Sequence, residues 1–321
     1  MKWKVAVTVG AGLGNLGNTC FLNSAMQCLT HLAPWAQLAL RGTHSKRCRN
    51  SAACMLCFFE DHAKVALSGR KPRVQPMTIV NNLRLLNKRF RRGRQEDAHE
   101  FLRCLMDGFH RAELKVLKIK DTAAPIVQNR TMVHHVFGGY FRNQTKCAAC
   151  PHSSNTFDSF LDLSVELVDA HRAMHSLRDV LKHFTKVEVL DAANKWKCDA
   201  CGKATRARKQ LTIRRAPNVL TVQLKRFSFM HMFGGKINHR VEFDAALNLA
   251  PFMSEGNGGT PVMYDLAGVV VHHGSSLQYG HYTAFVKSSS GPWYHMDDDT
   301  RSKANLQRVL GAQAYVLFYV K

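Results

Sequence analysis

Cys20 sits where a glycine-rich stretch, residues 12–19, gives way to an apolar run. A thiolate is the attacking form of cysteine, and the unpaired N–H groups and macrodipole of a helix N-terminus stabilise that anion. Far along the chain, Tyr279-Gly280-His281-Tyr282 opens a β-rich run, and Trp293-Tyr294-His295-Met296-Asp297-Asp298 follows a turn. A nucleophilic cysteine, a histidine able to move its proton and a carboxylate able to hold the imidazole form a candidate hydrolytic triad, in the order Cys20, His281, Asp297. Asp298 is the adjacent competitor for the third place. Taken alone, Cys20 reads more readily as an inert buried cysteine than as a nucleophile. The company of His281 and the aspartates is what points to catalysis.

Such a thiol must be presented by a helix, and the sequence supplies one. Phe21, Leu22, Ala25, Met26, Leu29 and Leu32 recur at helical spacing over 20–32, with Pro34 as the stop. A second helix is predicted over 95–110 from Ala98, Phe101, Leu102, Leu105, Met106 and Phe109, with an acidic first turn that suits the dipole. Beyond residue 130 the pattern changes to short β-rich runs at 156–168, 211–213, 219–227, 266–271, 281–287, 293–296 and 314–320. A helical first part and a strand-rich second part give the α+β class. Residues 254–260 and 288–292 are the predicted loop tips. Pairing 281–287 with 293–297 about position 289 places His281 opposite Asp297, so that the carboxylate fixes the tautomer and stabilises the imidazolium.

Four of the ten cysteines form Cys147-Ala148-Ala149-Cys150 and Cys198-Asp199-Ala200-Cys201, the paired knuckles of a structural four-thiolate zinc site with no open position for catalysis. His44, Cys48, Cys54, Cys57 and His62 are a second group of ligand types at irregular spacing, and Cys54 and Cys57 read equally well as buried helix residues. This cysteine usage favours a reducing compartment over a disulfide framework. No run of apolar residues is long enough for a membrane helix. The short apolar stretch at 5–11 lacks a small-x-small cleavage site, and secretion is discounted.

Lysine and arginine number 45 against 23 aspartates and glutamates, a net charge of +22. Such an excess implies attraction to nucleic acid or to acidic protein partners and says nothing about fold. Arg84, Lys88, Arg89, Arg91, Arg92 and Arg94 form one cluster, and Lys195, Lys197, Lys203, Arg206, Arg208 and Lys209 surround the second knuckle. Neither has the aromatic interleaving of a stacking platform. A zinc-containing nucleic-acid-binding protein is therefore the second function class, beside the hydrolase.

Five stretches, in order, resemble the ubiquitin-specific protease family. They are the Cys20 box, Gln95-Glu96-Asp97-Ala98-His99-Glu100-Phe101, Leu220-Thr221-Val222-Gln223-Leu224-Lys225-Arg226-Phe227, Gly280-His281-Tyr282 and Ala314-Tyr315-Val316-Leu317-Phe318-Tyr319. The resemblance implies one papain-like catalytic domain over 11–321, with a thumb over about 11–130 and zinc-stapled fingers and a palm over about 131–321. It implies a deubiquitinating thiol hydrolase that cuts the isopeptide or peptide bond after the C-terminal glycine of ubiquitin. Its partners would be ubiquitin and ubiquitinated proteins, with no membrane.

By the same resemblance Cys20 is the nucleophile, His281 the general base and acid, and Asp297 the orienting residue. The Asn15 side-chain amide joins the Cys20 N–H in an oxyanion hole; as part of an Asn-Leu-Gly turn, Asn15 also has a purely structural reading. Asp97 and Glu100, one helical turn apart, would pair with arginines of the ubiquitin tail, or only complement the helix dipole. His273, Gly280 and Tyr282 would line the channel for that tail. The family has His-Ser-Gly where this chain has His272-His273-Gly274, so either histidine fits. The 44–62 run resembles a nuclear and nucleolar subgroup, which implies the nucleus or nucleolus, with the cytoplasm as the other compartment.

Overall fold

The computed structural model describes every residue except 1, 2, 5, 6, 8, 121, 170, 171, 192, 228–234, 255–259, 277 and 278. The predicted loop tip at 254–260 falls mostly outside the described residues. Helices dominate the first part and strands the second, the α+β order expected. The Cys20–His31 helix packs on the Ala98–Leu117 helix, and Ala33–Leu40 packs on Met55–Ala66. Pro34 does not end helical structure. It occupies the first turn of Ala33–Leu40, where its missing N–H costs no hydrogen bond. Trp35 meets Phe59, Phe109 and Phe137 at ring-centroid distances of 6.0, 5.6 and 5.4 Å in the centre of this lobe.

The large sheet runs Thr300–Ala304, Trp293–Asp297, His281–Lys287, Met263–His273, Ala314–Val320, Val219–Leu224, Leu163–Val165, with Ala246–Asn248 beside Met263–His273. Its pairs are antiparallel apart from Val219–Leu224 with Leu163–Val165. Side chains alternate between two cores. Val270, Ala284, Val286, Val316 and Phe318 join the helical lobe, while Val269, Val271, Phe285, Leu317 and Tyr319 enter a second core on the opposite face. Two buried faces explain why 266–271 and 314–320 read as continuous apolar runs instead of alternating ones.

A separate antiparallel sheet, Ser153–Phe160, Gly139–Cys147, Ala207–Arg215 and Val187–Leu190, carries Cys147 and Cys150 at the turn between its first two strands, while Cys198 and Cys201 lie in the turn of the small Trp196–Lys197 and Ala204–Thr205 ribbon. The single strand expected over 156–168 is thus three: Ser153–Phe160 in this sheet, Leu163–Val165 in the large one and Val168–Asp169 in a small ribbon. One β-rich run serves several sheets, which periodicity does not register. Gly139–Cys147 carries no strand signal in the sequence because most of its residues are half-buried and polar. Among the described residues no helix is long and apolar enough to cross a membrane.

Candidate active site

The Cys20–His31 helix starts at Cys20, and its N-cap Thr19 makes no side-chain cap bond, so its first amides remain for other acceptors. Cys20 is 4% exposed. Burial is the largest influence on its thiol and raises the pKa. The Tyr282 N–H lowers it, the Asp298 charge raises it, and the Phe21 and Cys20 amides lower it further. The balance holds the thiol above its ordinary value.

Asn15 Oδ1 accepts the Gly17 and Thr19 amides, both at 3.1 Å, which shapes the glycine-rich turn. Its Nδ2 donates to Asp298 Oδ2 at 2.8 Å and keeps a second N–H. The turn reading and the donor reading of Asn15 are therefore compatible. Asn23, buried one helical turn beyond Thr19, donates to Asp298 Oδ1 at 2.8 Å and to the Leu13 carbonyl at 3.1 Å. The Leu13 amide in turn donates to the Asp298 carbonyl at 2.7 Å. A Cβ on Gly12 would fall 2.1 Å from the Asp299 carbonyl oxygen, so only glycine lets the Gly12–Leu13 strand approach this turn. Asp298 itself adopts φ 47°, a left-handed conformation that aspartate tolerates better than most residues.

On the facing wall His281 opens its strand, and its Nε2 lies 2.6 Å from Asp297 Oδ1. The two side chains are 41% and 45% exposed. The hairpin turn falls at 288–292 as expected, but its register differs. Ala284 pairs with Met296 and Lys287 with Trp293, so the pairs centre on 290, because the Ser288 N–H closes the turn on the Pro292 carbonyl. Asp297 therefore lies diagonal to His281, two residues from the facing position. A shift of two keeps the same sheet face, which is why the contact survives the error. His281, Asp297 and Asp298 each place a ligand-type atom within 4.8 Å of the others. The first carboxylate takes the ring and the second takes the two asparagine amides. Among the described residues no hydrogen bond joins Cys20 to His281, and Nδ1 is the ring nitrogen left for the sulfur.

His273 pairs with His281 across the sheet, the rings 6.5 Å apart, and is exposed. His272 turns to the other face, 1% exposed against Phe227 and Tyr282, and burial lowers its pKa to about 4. Of the two histidines, His273 is the one beside the site. Gly280 donates its N–H to Gln95 Oε1 at 3.0 Å, and a Cβ there would fall 2.2 Å from His272 Nε2.

Tyr282 corrects an expectation: its side chain is 3% exposed and turned into the core, so its backbone N–H meets the sulfur while its ring lines no open channel. Asp97 is more occupied than expected. Its Oδ1 caps the Ala98–Leu117 helix by accepting the Glu100 amide at 2.7 Å, and its Oδ2 accepts the Tyr315 and Tyr282 hydroxyls at 2.6 and 3.3 Å. Glu100 is the exposed carboxylate of the pair. Sequence spacing assigns no site role to Asn23, Gln95 or Tyr315, although Gln95 and Tyr315 lie within two of the five family-like stretches; for Asn23 the available signal is a polar residue on the buried side of an apolar helix.

Cys147, Cys150, Cys198 and Cys201 bring their sulfurs within 4.8 Å of one another, with Cys150 and Cys198 at 3.7 Å. All ten cysteines are free, and Cys147 Sγ accepts the Ala149 amide at 3.3 Å, as a tight knuckle allows. Four converging thiols on two turns fit a structural metal. The second group also converges through His44, Cys48, Cys54 and Cys57, but His62 stands apart on the Met55–Ala66 helix.

A thiol at a helix start, faced across a cleft by a histidine–aspartate pair on a sheet, places the fold among the papain-like cysteine hydrolases. The chain belongs to the ubiquitin carboxyl-terminal hydrolase family, whose sequence pattern matches residues 11–319. It is 42% identical over 321 residues to the human ubiquitin carboxyl-terminal hydrolase 42, covering 100% of this chain and 24% of that protein. It is 41% identical over 323 residues to the probable ubiquitin carboxyl-terminal hydrolase 16 of Schizosaccharomyces pombe, covering 99% of this chain and 68% of that one. The chain thus spans well under half of the human relative and 36% of a similar Arabidopsis thaliana ubiquitin carboxyl-terminal hydrolase, number 23, which is 41% identical over 98% of this chain. Among solved structures, the SAGA Ubp8/Sgf11/Sus1/Sgf73 DUB module bound to ubiquitin aldehyde superposes with a TM-score of 0.84 at 30% identity, covering 97% of this chain and 69% of that one.

Proposed function

We propose that this chain is a deubiquitinating cysteine peptidase, hydrolysing the isopeptide or peptide bond after the C-terminal glycine of ubiquitin. The single observation that carries the reading is the His281–Asp297 pair at 2.6 Å, set beside the Tyr282 amide that meets Cys20. The similar solved module bound to ubiquitin aldehyde supports ubiquitin as the substrate.

In this reading His281 Nδ1 takes the thiol proton as Cys20 Sγ attacks the glycine carbonyl. The oxyanion receives the Cys20 N–H and the free N–H of Asn15 Nδ2. Collapse breaks the C–N bond, and the leaving amine takes the proton from His281. Water, deprotonated by the same ring, then cleaves the thioester to release the ubiquitin carboxylate and the thiol. Asp297 holds the imidazole throughout, and Asp298 holds Asn15. Glu100, together with the remaining acceptor capacity of Asp97, receives the arginines of the tail, and His273 and Gly280 flank it.

We assign 11–130 as the thumb and 131–321 as fingers and palm. At the tip of the fingers Cys147, Cys150, Cys198 and Cys201 would hold zinc, which supplies cross-linking of the two knuckles and no chemistry at the cleft. The exposed residues Arg84, Lys88, Arg89, Arg91, Arg92 and Arg94 support a second role, electrostatic recruitment to nucleic acid, in keeping with a nuclear or nucleolar location. Their loop meets the cleft, where Asn18 Nδ2 donates to the Gly93 carbonyl at 2.8 Å. RNA or DNA binding that weakens steeply with salt and persists in Cys20→Ala would support it; no binding at low salt would end it.

The test of the main reading is incubation with ubiquitin bearing a C-terminal electrophile, read by intact mass. One adduct on Cys20 is expected. No adduct on the native chain, or an adduct that survives Cys20→Ala, would overturn the assignment.

A further inference from the structure

The Met263–His273 strand ends beside the cleft, and the carbonyls at its end are gripped by a buried cation. Lys236 is 9% exposed, and its Nζ donates to the His272 carbonyl at 2.7 Å and to the Gly274 carbonyl at 3.2 Å. An antiparallel bridge joins Lys236 to Phe227, and the Ile237 amide donates to the Arg226 carbonyl at 2.7 Å, so the root of the lysine is fixed. Arg226 is itself fully buried. It donates from Nε to the Ala314 carbonyl at 2.6 Å and from Nη1 to the Ile237 and His239 carbonyls at 2.9 and 3.0 Å. No carboxylate is among the main influences on Lys236; burial, and then the Arg226 charge, lower its pKa to about 8.

Two neighbouring cations buried without a counter-charge are costly, and an apolar side chain of the same bulk would fill the space more favourably. What the lysine adds is a set of donors for two particular carbonyls. Those carbonyls stand on either side of His273, the residue that pairs with His281 across the sheet, while His272 pairs with Tyr282. Gly274 leaves the strand at φ 131°, and a Cβ there would fall 2.5 Å from the Tyr279 carbonyl oxygen. The backbone that enters Gly280 and His281 therefore lies against Gly274, and Lys236 holds Gly274 in place. The His272 ring does not share this task. Neither of its nitrogens has a partner among the described residues, and it packs against Phe227 and Tyr282.

We propose that Lys236 is a positioning residue for the histidine wall: through the His272 and Gly274 carbonyls it fixes the strand end that sets His281 and Gly280 against the thiol. It acts through the backbone and not on the reacting atoms. The inference rests on the hydrolase reading, because the group it positions is the general base of that reaction. Misplacing a reacting group by about 1 Å can cost about 100-fold in rate, so the loss should fall on kcat.

Lys236→Met, which keeps the length and bulk of the side chain but not its donors, tests the proposal on a ubiquitin C-terminal reporter. Its kcat should fall about 10- to 100-fold, with KM and ubiquitin affinity close to native. Alkylation of Cys20 by a small haloamide reads the cysteine wall alone and should keep its native rate. Lys236→Gln, with N–H donors on a shorter neutral arm, should recover part of kcat. A Lys236→Met protein that melts earlier but keeps native kcat per folded molecule overturns the proposal, as does a parallel loss of alkylation and turnover. Should Lys236→Met fail to fold, Lys236→Gln decides: lowered kcat with native alkylation supports the role, and native kcat overturns it. A native chain that does not turn over the reporter overturns the hydrolase reading and this inference with it, whereas native turnover left unchanged by both variants overturns this inference alone.

Discussion

The two walls of the cleft are held in opposite ways. On the histidine wall a single ion pair, His281 with Asp297, stands more than two-fifths open to solvent. On the cysteine wall the thiol is buried, and Asn15, Asn23, Leu13 and Asp298 close a hydrogen-bonded ring around its loop. The difference follows from what each must do. An imidazole that exchanges protons with sulfur, amine and water needs freedom and access. The oxyanion donors must already be in place when charge develops, since donors that reorganise during the reaction stabilise it less. Adjacent aspartates from one turn serve both walls, one through each carboxylate.

The largest effect tests whether the buried wall supplies the only nucleophile. Cys20→Ala should abolish turnover and the covalent ubiquitin adduct while leaving the fold and ubiquitin binding intact; its failure to do so would move the chemistry to another thiol. Next is the open wall. Asp297→Asn should lower kcat on a ubiquitin C-terminal reporter by up to about 10⁴-fold with little change in ubiquitin affinity, because a carboxamide neither stabilises the imidazolium nor fixes the same tautomer. Asp298→Asn should cost less, about 10²- to 10³-fold, the scale of a disturbed oxyanion donor. Asn15→Ala should fall in the same range. If Asp298→Asn proves the worse of the two aspartate variants, the closed wall and not the ion pair dominates catalysis.

Asp97 extends the comparison to the base of the cleft. It caps one helix and collects two buried tyrosine hydroxyls from the sheet, so it joins the lobes that carry the two walls. Asp97→Ala loses the cap and strands those hydroxyls, and should lower unfolding free energy by about 2–4 kcal/mol in urea titration. Glu100→Ala, at an exposed position, should leave stability unchanged and raise KM for ubiquitin substrates. Unchanged stability in Asp97→Ala would return Asp97 to a purely substrate-facing role.

The parts legible in sequence are those governed by local periodicity. Apolar spacing puts the end of the helix that starts at Cys20 within one residue of its observed end at His31, and the strands 281–287 and 314–320 match the structure. The contact of His281 with Asp297 emerges even from a register in error by two, because a shift of two leaves sheet faces unchanged. What stays hidden depends on tertiary partners. Nothing local indicates that Tyr282 turns inward to Asp97, that His273 and not His272 faces the site, or that Asp298 answers to two asparagines nearly three hundred residues earlier. Gly139–Cys147 is invisible to periodicity because a half-buried, polar strand carries no alternating signal.

The smallest predicted effect separates the walls by sign. Asp298 places negative charge near Cys20 and so helps to hold its thiol protonated, after burial, the larger cause. Removing that charge favours the thiolate, the species that alkylates. Asp298→Asn should therefore move the pH profile of Cys20 alkylation by a small haloamide toward lower pH, and alkylation near neutrality should quicken by a few-fold, about tenfold at most. Turnover in the same variant falls, since Asn15 and Asn23 lose their anchor. Asp297 is not among the main influences on the sulfur, so the alkylation profile of Asp297→Asn should stay close to the native one. Faster alkylation with slower hydrolysis in a single variant is what a charge that both restrains the thiol and organises its oxyanion donors requires. A parallel loss of both rates would instead mean that Asp298→Asn displaces the Cys20 loop, and that the closed wall is held by geometry alone.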